Sequence, residues 1–189
     1  AAKIKYPMDH FIGNWWSGAE ADVLPAGKSA IGYIAATFNQ PGAGTQAHGD
    51  IVKHVYGGDN AAANKAQIGQ VLYNRGIINA IYDTEAVRTA MGKYGNTAMS
   101  GEQVRWGLEN LNLTEARIAE LGVKGFMGPI SISCANHEGG GKVMFQQWSG
   151  TEWKIVKGWT DTMQDMIRPM IEEAAAAFAK ENKITPRKC

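Results

Sequence analysis

The chain has 189 residues, 44% of them hydrophobic, with 19 Lys and Arg against 18 Asp and Glu for a formal net charge of +1. That balance, without a long run of one sign, gives a nucleic-acid or anionic-membrane partner no electrostatic support, and the length suits one ordinary domain or two small lobes. No stretch approaches the roughly 18 consecutive apolar residues of a membrane span, and no basic segment followed by an apolar one opens the sequence, as expected of a mature, processed or truncated chain.

Residues 1–8 read as the tail of a helix ending at Tyr6-Pro7, because the residue before a proline is pushed out of the helical region. With no start signal before it, this element is expected to begin upstream. Phe11-Ile12-Gly13-Asn14-Trp15-Trp16 reads as a buried strand ending in a loop at Gly18, residues 20–27 as a short helical segment, and residues 30–38 as a second strand stopped by Asn39-Gln40-Pro41-Gly42. Helical spacing returns over residues 46–56, and Gly57-Gly58-Asp59-Asn60 opens a loop. Residues 68–91 form the longest periodic segment, with Ile68, Val71, Leu72, Ile78, Ile81 and Tyr82 on one side and Arg75 and Arg88 left to solvent.

Ser100 and Gln103 match a capping box, launching a helix through Leu108, and Thr114-Glu115 starts another that Gly122 closes. The alternation at the end of residues 125–134 predicts a strand. Residues 143–148 and 152–156 flank Ser149-Gly150-Thr151 as a hairpin. A final helix is expected over residues 162–180, capped by Asp161, with Met163, Met166, Met170, Ala174 and Phe178 as a core-facing stripe. Strand, helix and strand at the start, a helical middle and a closing hairpin predict an α/β fold whose chain passes between two lobes.

Catalytic constellations are thin. His48 and His54 stand six residues apart, not the four that place two imidazoles on one helical face, and read as solvated side chains. His137-Glu138 places a possible base beside a carboxylate, but Gly139-Gly140-Gly141 follows where a second metal-binding His would be needed, so a polar turn is the reading and a hydrolase or metal enzyme the alternative. Gly139-Gly140-Gly141-Lys142 lacks the hydroxyl residue of a phosphate loop, since Val143 follows. Trp15-Trp16-Ser17-Gly18 at a strand end is the best binding cluster, because aromatic rings with a few polar groups at the carboxyl ends of strands suit a small-molecule cleft. Trp106, Trp148, Trp153 and Trp159 read as packing residues. The two cysteines, Cys134 and Cys189, permit one disulfide or two free thiols.

Taken in order, Phe11-Ile12-Gly13 with Trp15-Trp16-Ser17-Gly18, GQVLYNRG at residues 69–76, TAMSGEQVRWGLENL at 97–111, GFMGP at 125–129, SCANHEG at 133–139, QQW at 146–148 and ITPRKC at 184–189 resemble the type-1 periplasmic solute-binding proteins of branched-chain amino-acid ABC transporters. That family includes relatives that bind aromatic acids or other small carboxylates. The resemblance runs over nearly the whole chain and implies a periplasmic-binding-protein-like α/β fold with three-layer α/β/α lobes. It implies a non-enzyme without a cofactor, which captures an amino acid or small carboxylate between two hinged lobes and presents it to a membrane permease. A sensor ectodomain of the same fold is the alternative.

A full member has a long N-terminal portion that this sequence lacks, so the resemblance makes the chain a C-terminal fragment. Residues 1–38 would finish the second lobe, 39–134 return to the first, and 135–189 close the second. Such a fragment is expected to self-associate or swap elements with copies of itself. The same resemblance assigns Trp15, Trp16 and Ser17, with Asn14 and Glu20, to the ligand cleft, pairs Cys134 with Cys189 in a disulfide, and places the protein in the periplasm.

Overall fold

A computed structural model describes residues 1–58 and 65–189. The loop expected from Gly57 onward lies largely outside the described residues. The opening residues form short three-ten turns, Ala2–Ile4 and Met8–His10, rather than the end of a longer helix. Strand β1 (Ile12–Gly13) runs parallel to β2 (Ile34–Thr37), and the chain crosses between them through the turn Trp15–Ser17, the one-turn helix α1 (Glu20–Val23) and the three-ten stretch Leu24–Ala30. The strand expected to run through Trp16 stops at Gly13, because Asn14 accepts the Trp16 N–H at 3.1 Å and bends the backbone into a turn.

Helices α2 (Gln46–His54), α3 (Val71–Tyr94), α4 (Gly101–Leu108) and α5 (Glu115–Glu120) follow. Thr45, Ser100 and Thr114 cap three of them, and Ser100 with Gln103 completes the capping box read from the sequence. A two-residue pair, β3 (Asn112–Leu113) with β4 (Ile130–Ser131), is all that forms of the strand expected over residues 125–134. The chain then returns to the first sheet as the hairpin β5 (Lys142–Trp148) and β6 (Trp153–Asp161), giving the order β1-β2-β5-β6. At the hairpin loop Ser149 Oγ accepts the Glu152 N–H at 3.0 Å, and Gly150 takes the positive φ of 106° that the tight return needs.

Register decides which face of the sheet is buried. Ala35 lies opposite Gln146 and Thr37 opposite Met144 on a face covered by Ala19 and Val23, where Gln146 Nε2 donates to the Gly18 carbonyl at 2.7 Å. Ile34, Ala36, Phe145 and Gln147 share the other face and stay half-exposed. Among the described residues the sheet therefore has one covering layer, not the two that flank it in a three-layer lobe. Helices α3 and α5 pack in a separate apolar cluster with α4 against α3, and the last helix, Gln164–Glu181, rests on the segment around Ala135 and Glu138 through Arg168 and Gln164.

The buried apolar side chains form two clusters. One gathers Ala19, Val23, Tyr33, Ala35, Val71, Trp148 and Trp153; the other Ile78, Leu111, Leu113, Ile118, Val123, Phe126 and Met127. In the second, α3 and α4 approach closely at Gly107, where a β-carbon would stand 2.0 Å from the Ala86 carbonyl oxygen. Arg117 of α5 pairs with the buried Glu85 of α3 at 2.8 Å.

Two expectations fail here for identifiable reasons. Helix α6 (Gln164–Glu181) buries no residue, and Met163, Met166, Met170 and Phe178 are all more than half exposed. Periodicity reveals an apolar face but not what covers it. Asp161 is also not its cap, being held in β6 opposite Lys142. His48, expected in solvent, is buried edge-on against Phe126, because Thr45 and Asn74 satisfy both ring nitrogens at 2.6 and 2.9 Å. His54 is exposed.

Cys134 and Cys189 are joined in a disulfide with Cα atoms 5.4 Å apart. Beside it, Arg187 grips Glu109 through two hydrogen bonds of 2.6 and 2.7 Å. The C-terminal tail is thus tied at two points to the body of the protein.

Candidate functional site

Parallel strands β1 and β2 end side by side, so the residues that follow them meet at one edge of the sheet. Trp15 follows β1, Phe38 follows β2, and their rings contact edge-on at 5.7 Å. Trp16 stacks on Trp15 with centroids 4.5 Å apart and is 73% exposed, so the pair carries a flat aromatic surface outward from the carboxyl ends of the strands. Against Trp15 and Phe38 opens a cavity of about 560 Å³, walled further by Asn79 and Tyr82 of α3, Lys142 of β5 and Trp159 of β6.

Most walls of this cavity are apolar or aromatic, and its polar groups are few and already oriented. Lys142 pairs with Asp161 at 3.1 Å, and Glu138, also in the lining, accepts from Gln164 Nε2 at 2.8 Å. Burial pushes the Tyr82 hydroxyl above its usual range, so it is a neutral hydrogen-bonding group at physiological pH. Flat rings with a handful of fixed polar groups suit reversible capture of a small amphipathic molecule.

The five residues singled out from the sequence share one loop but face different ways. Trp15 lines the cavity, and Trp16 stacks on it from the exposed side. Asn14 holds the turn through Trp16 N–H. Ser17 Oγ lies 2.6 Å from Tyr33 Oη and lines a separate cavity of about 540 Å³ with Phe11, Asp22 and Tyr33. Gly13 is small for the same reason, since a β-carbon there would stand 1.8 Å from Tyr33 Oη. Glu20 turns toward α3 and accepts the Val71 N–H at 3.0 Å.

Phe38, Tyr82 and Trp159 were not legible as site residues, and Trp159, expected to pack, is 37% exposed and lines the cavity. Only Phe38 left a signal, ending its strand as Trp15 does. Arg75, expected in solvent, lies over the Trp15 and Phe38 rings at 5.0 and 5.4 Å and donates from Nη2 to the Trp15 carbonyl at 2.7 Å.

His137 and Glu138 do not act as a pair. His137 Nε2 lies 3.4 Å from Glu109 Oε1, while the Glu138 carboxylate takes its hydrogen bond from Gln164. Glu109 is itself held down to about 2 by the Arg187 hydrogen bonds, opposed by burial. It is a fixed anion, and His137 is one of its partners.

No protein-family model and no curated protein matches the chain. Two solved structures do. A crystal structure from the Pseudomonas fluorescens group, described as an ABC transporter permease, matches all of this chain at 41% identity with a TM-score of 0.91, over 46% of its own length. A branched-chain amino acid ABC transporter from Thermus thermophilus with bound valine matches 82% of this chain at 19% identity with a TM-score of 0.60, over 40% of its own length. These neighbours are ABC transporter components, and the chain spans less than half the length of each. Among the described residues, no helix is long and apolar enough to cross a membrane.

Proposed function

We propose that this chain is part of the extracytoplasmic solute-binding component of an ABC importer, of the type-1 periplasmic kind, which captures an amino acid or small aromatic carboxylate between two lobes and hands it to a membrane permease. The observation that carries the reading is the stacked indole pair at the carboxyl ends of β1 and β2, whose Trp15 ring lines a cavity of solute size while Trp16 stacks on it. The full-length match to an ABC transporter component gives that surface its context. In this reading Trp15 and Trp16 contact the solute, while Asn14, Ser17 and Glu20 hold the loop that carries them.

The two apolar clusters support a two-lobed division. One draws on residues 19–35, 148 and 153, the other on residues 78–127, in keeping with residues 1–38 and 135–189 forming one lobe and 39–134 belonging to the other, except that Val71 at the start of α3 packs in the first cluster. The open face of the sheet and the apolar face of α6 are surfaces for the remainder of a longer two-lobed chain, whose lobes would then be three-layered. The disulfide favours an oxidising compartment such as the periplasm. Valine in the Thermus structure supports a solute of amino-acid size.

A thermal-shift screen of the full-length protein against amino acids and aryl carboxylates tests the assignment. A solute that binds only the folded form raises Tm by about 2–4 °C per kcal/mol of linkage, and Trp15→Ala abolishes that rise. An unchanged Tm across both ligand classes refutes it.

A further inference from the structure

Helix α3 reaches out of one apolar cluster into the other. Its first residue, Val71, is fully buried among Ala19, Ala35 and Trp148, whereas Ile78, two turns on, belongs to the second cluster. Two charged contacts sit at this junction. The Glu20 carboxylate accepts the Val71 N–H at 3.0 Å, where the N-terminal end of a 24-residue helix favours an anion. One turn along, the Arg75 guanidinium lies over Trp15 and Phe38, bonds the Trp15 carbonyl at 2.7 Å, and leaves Nε buried without an acceptor.

We propose that Glu20 and Arg75 form a two-point clasp that pins the indole-bearing loop against α3, with Arg75 as the positioning residue for Trp15. The chemistry suits arginine. A planar, weakly hydrated guanidinium can stack on two rings while still donating along its edge, which a lysine ammonium cannot. Burial pushes Arg75 below its usual value, and the nearby Asp22 and Glu20 carboxylates oppose this and keep the cation in place. Arg75 is not among the residues that line the cavity, so its part is to orient the loop and not to clamp a solute carboxylate.

Both contacts join the indole-bearing loop to the first turns of α3, which continues into the second cluster, so the clasp sets where the Trp15 ring sits at the cavity. It stands on contacts within the chain; its effect on solute capture rests on the function proposed above. Hydrogen exchange on the full-length protein without solute tests it, using Arg75→Gln, Arg75→Lys, Glu20→Ala and, as a control on the exposed side of the same helix, Asp83→Asn. Arg75→Gln and Glu20→Ala are expected to speed exchange at the amides of residues 14–18 and 71–74 by ~10-fold or more, with residues 101–120 unchanged. Arg75→Lys is expected to recover less than half of that protection, and the control to match the parent. Unchanged exchange at both segments, or acceleration spread equally over residues 101–120, overturns the clasp. Because no solute is present, that result would leave the solute reading standing, and an inert solute screen would leave the clasp standing.

Discussion

Asn74 is the side chain whose removal should be felt most. It is fully buried, its Nδ2 faces the carbonyls of Gln40, Gly42 and Gly69 at 3.1, 2.9 and 3.3 Å, and its Oδ1 lies 2.9 Å from His48 Nε2. Since an amide oxygen only accepts, His48 donates from Nε2 and takes the Thr45 hydroxyl at Nδ1, a tautomer assigned from the network. In Asn74→Ala, Gln40 O keeps Asn39 Nδ2 and Gly69 O keeps the Gly42 N–H, but Gly42 O and His48 Nε2–H lose the hydrogen bond that satisfies them among the described residues. Gly42 is exposed and its carbonyl turns to water, so the one buried orphan, His48 Nε2–H, sets a loss of about 1–3 kcal/mol, against the roughly 5–15 kcal/mol typical of a folded protein.

Asn74→Asp separates the terms. It keeps an acceptor for His48 but turns an oxygen toward three carbonyls, so it should be at least as damaging as alanine. Urea unfolding of the full-length protein followed by fluorescence reads both, and with m near ~2 kcal/mol/M the midpoint falls by about 0.5–1.5 M. A loss below about 1 kcal/mol for Asn74→Ala, or an aspartate variant as stable as the parent, would refute the reasoning.

Gly107→Ala drives a β-carbon to within 2.0 Å of the Ala86 carbonyl oxygen, so α3 and α4 must separate; unfolding midpoints should show a loss of about 3 kcal/mol or more. Acid sensitivity should centre on two carboxylates. Arg187 holds Glu109 down to about 2 and Arg117 lowers Glu85, both against an unfolded value of 4.5, so the stability they add is present above about pH 4.5 and is lost as pH falls below it, for Glu109 as pH nears 2. Arg187→Gln is therefore expected to narrow the difference in urea midpoint between pH 7 and pH 3, and an unchanged difference would contradict the assignment.

The elements with local causes were legible. Ser100 and Gln103 cap α4 by their own hydrogen bonds, Thr114 caps α5, and Ser149-Gly150 turns the hairpin, all within a few residues of sequence. Residues 125–134 form less strand than their alternation suggests, because Ile130–Ser131 alone pair as a strand while Met127 and Ser133 make isolated bridges, and pairing is a long-range event. The histidines misled because spacing tests a metal site but says nothing about burial, which at His48 depends on Asn74, 26 residues away.

The candidate site divides the same way. Read alone, the sequence put Trp15 and Trp16 together at a strand end but carried the strand through them; the turn that Asn14 makes came from the folded chain. Only the tertiary structure decided that Phe38, Arg75 and Trp159 join them, since these come from a second strand, a helix and a hairpin brought together by sheet register and helix packing. The same limit applies to α6, whose apolar stripe is readable from its 3.6-residue period while its exposure depends on what packs against it. Local chemistry sets the elements; contacts across the chain set which of their faces meet.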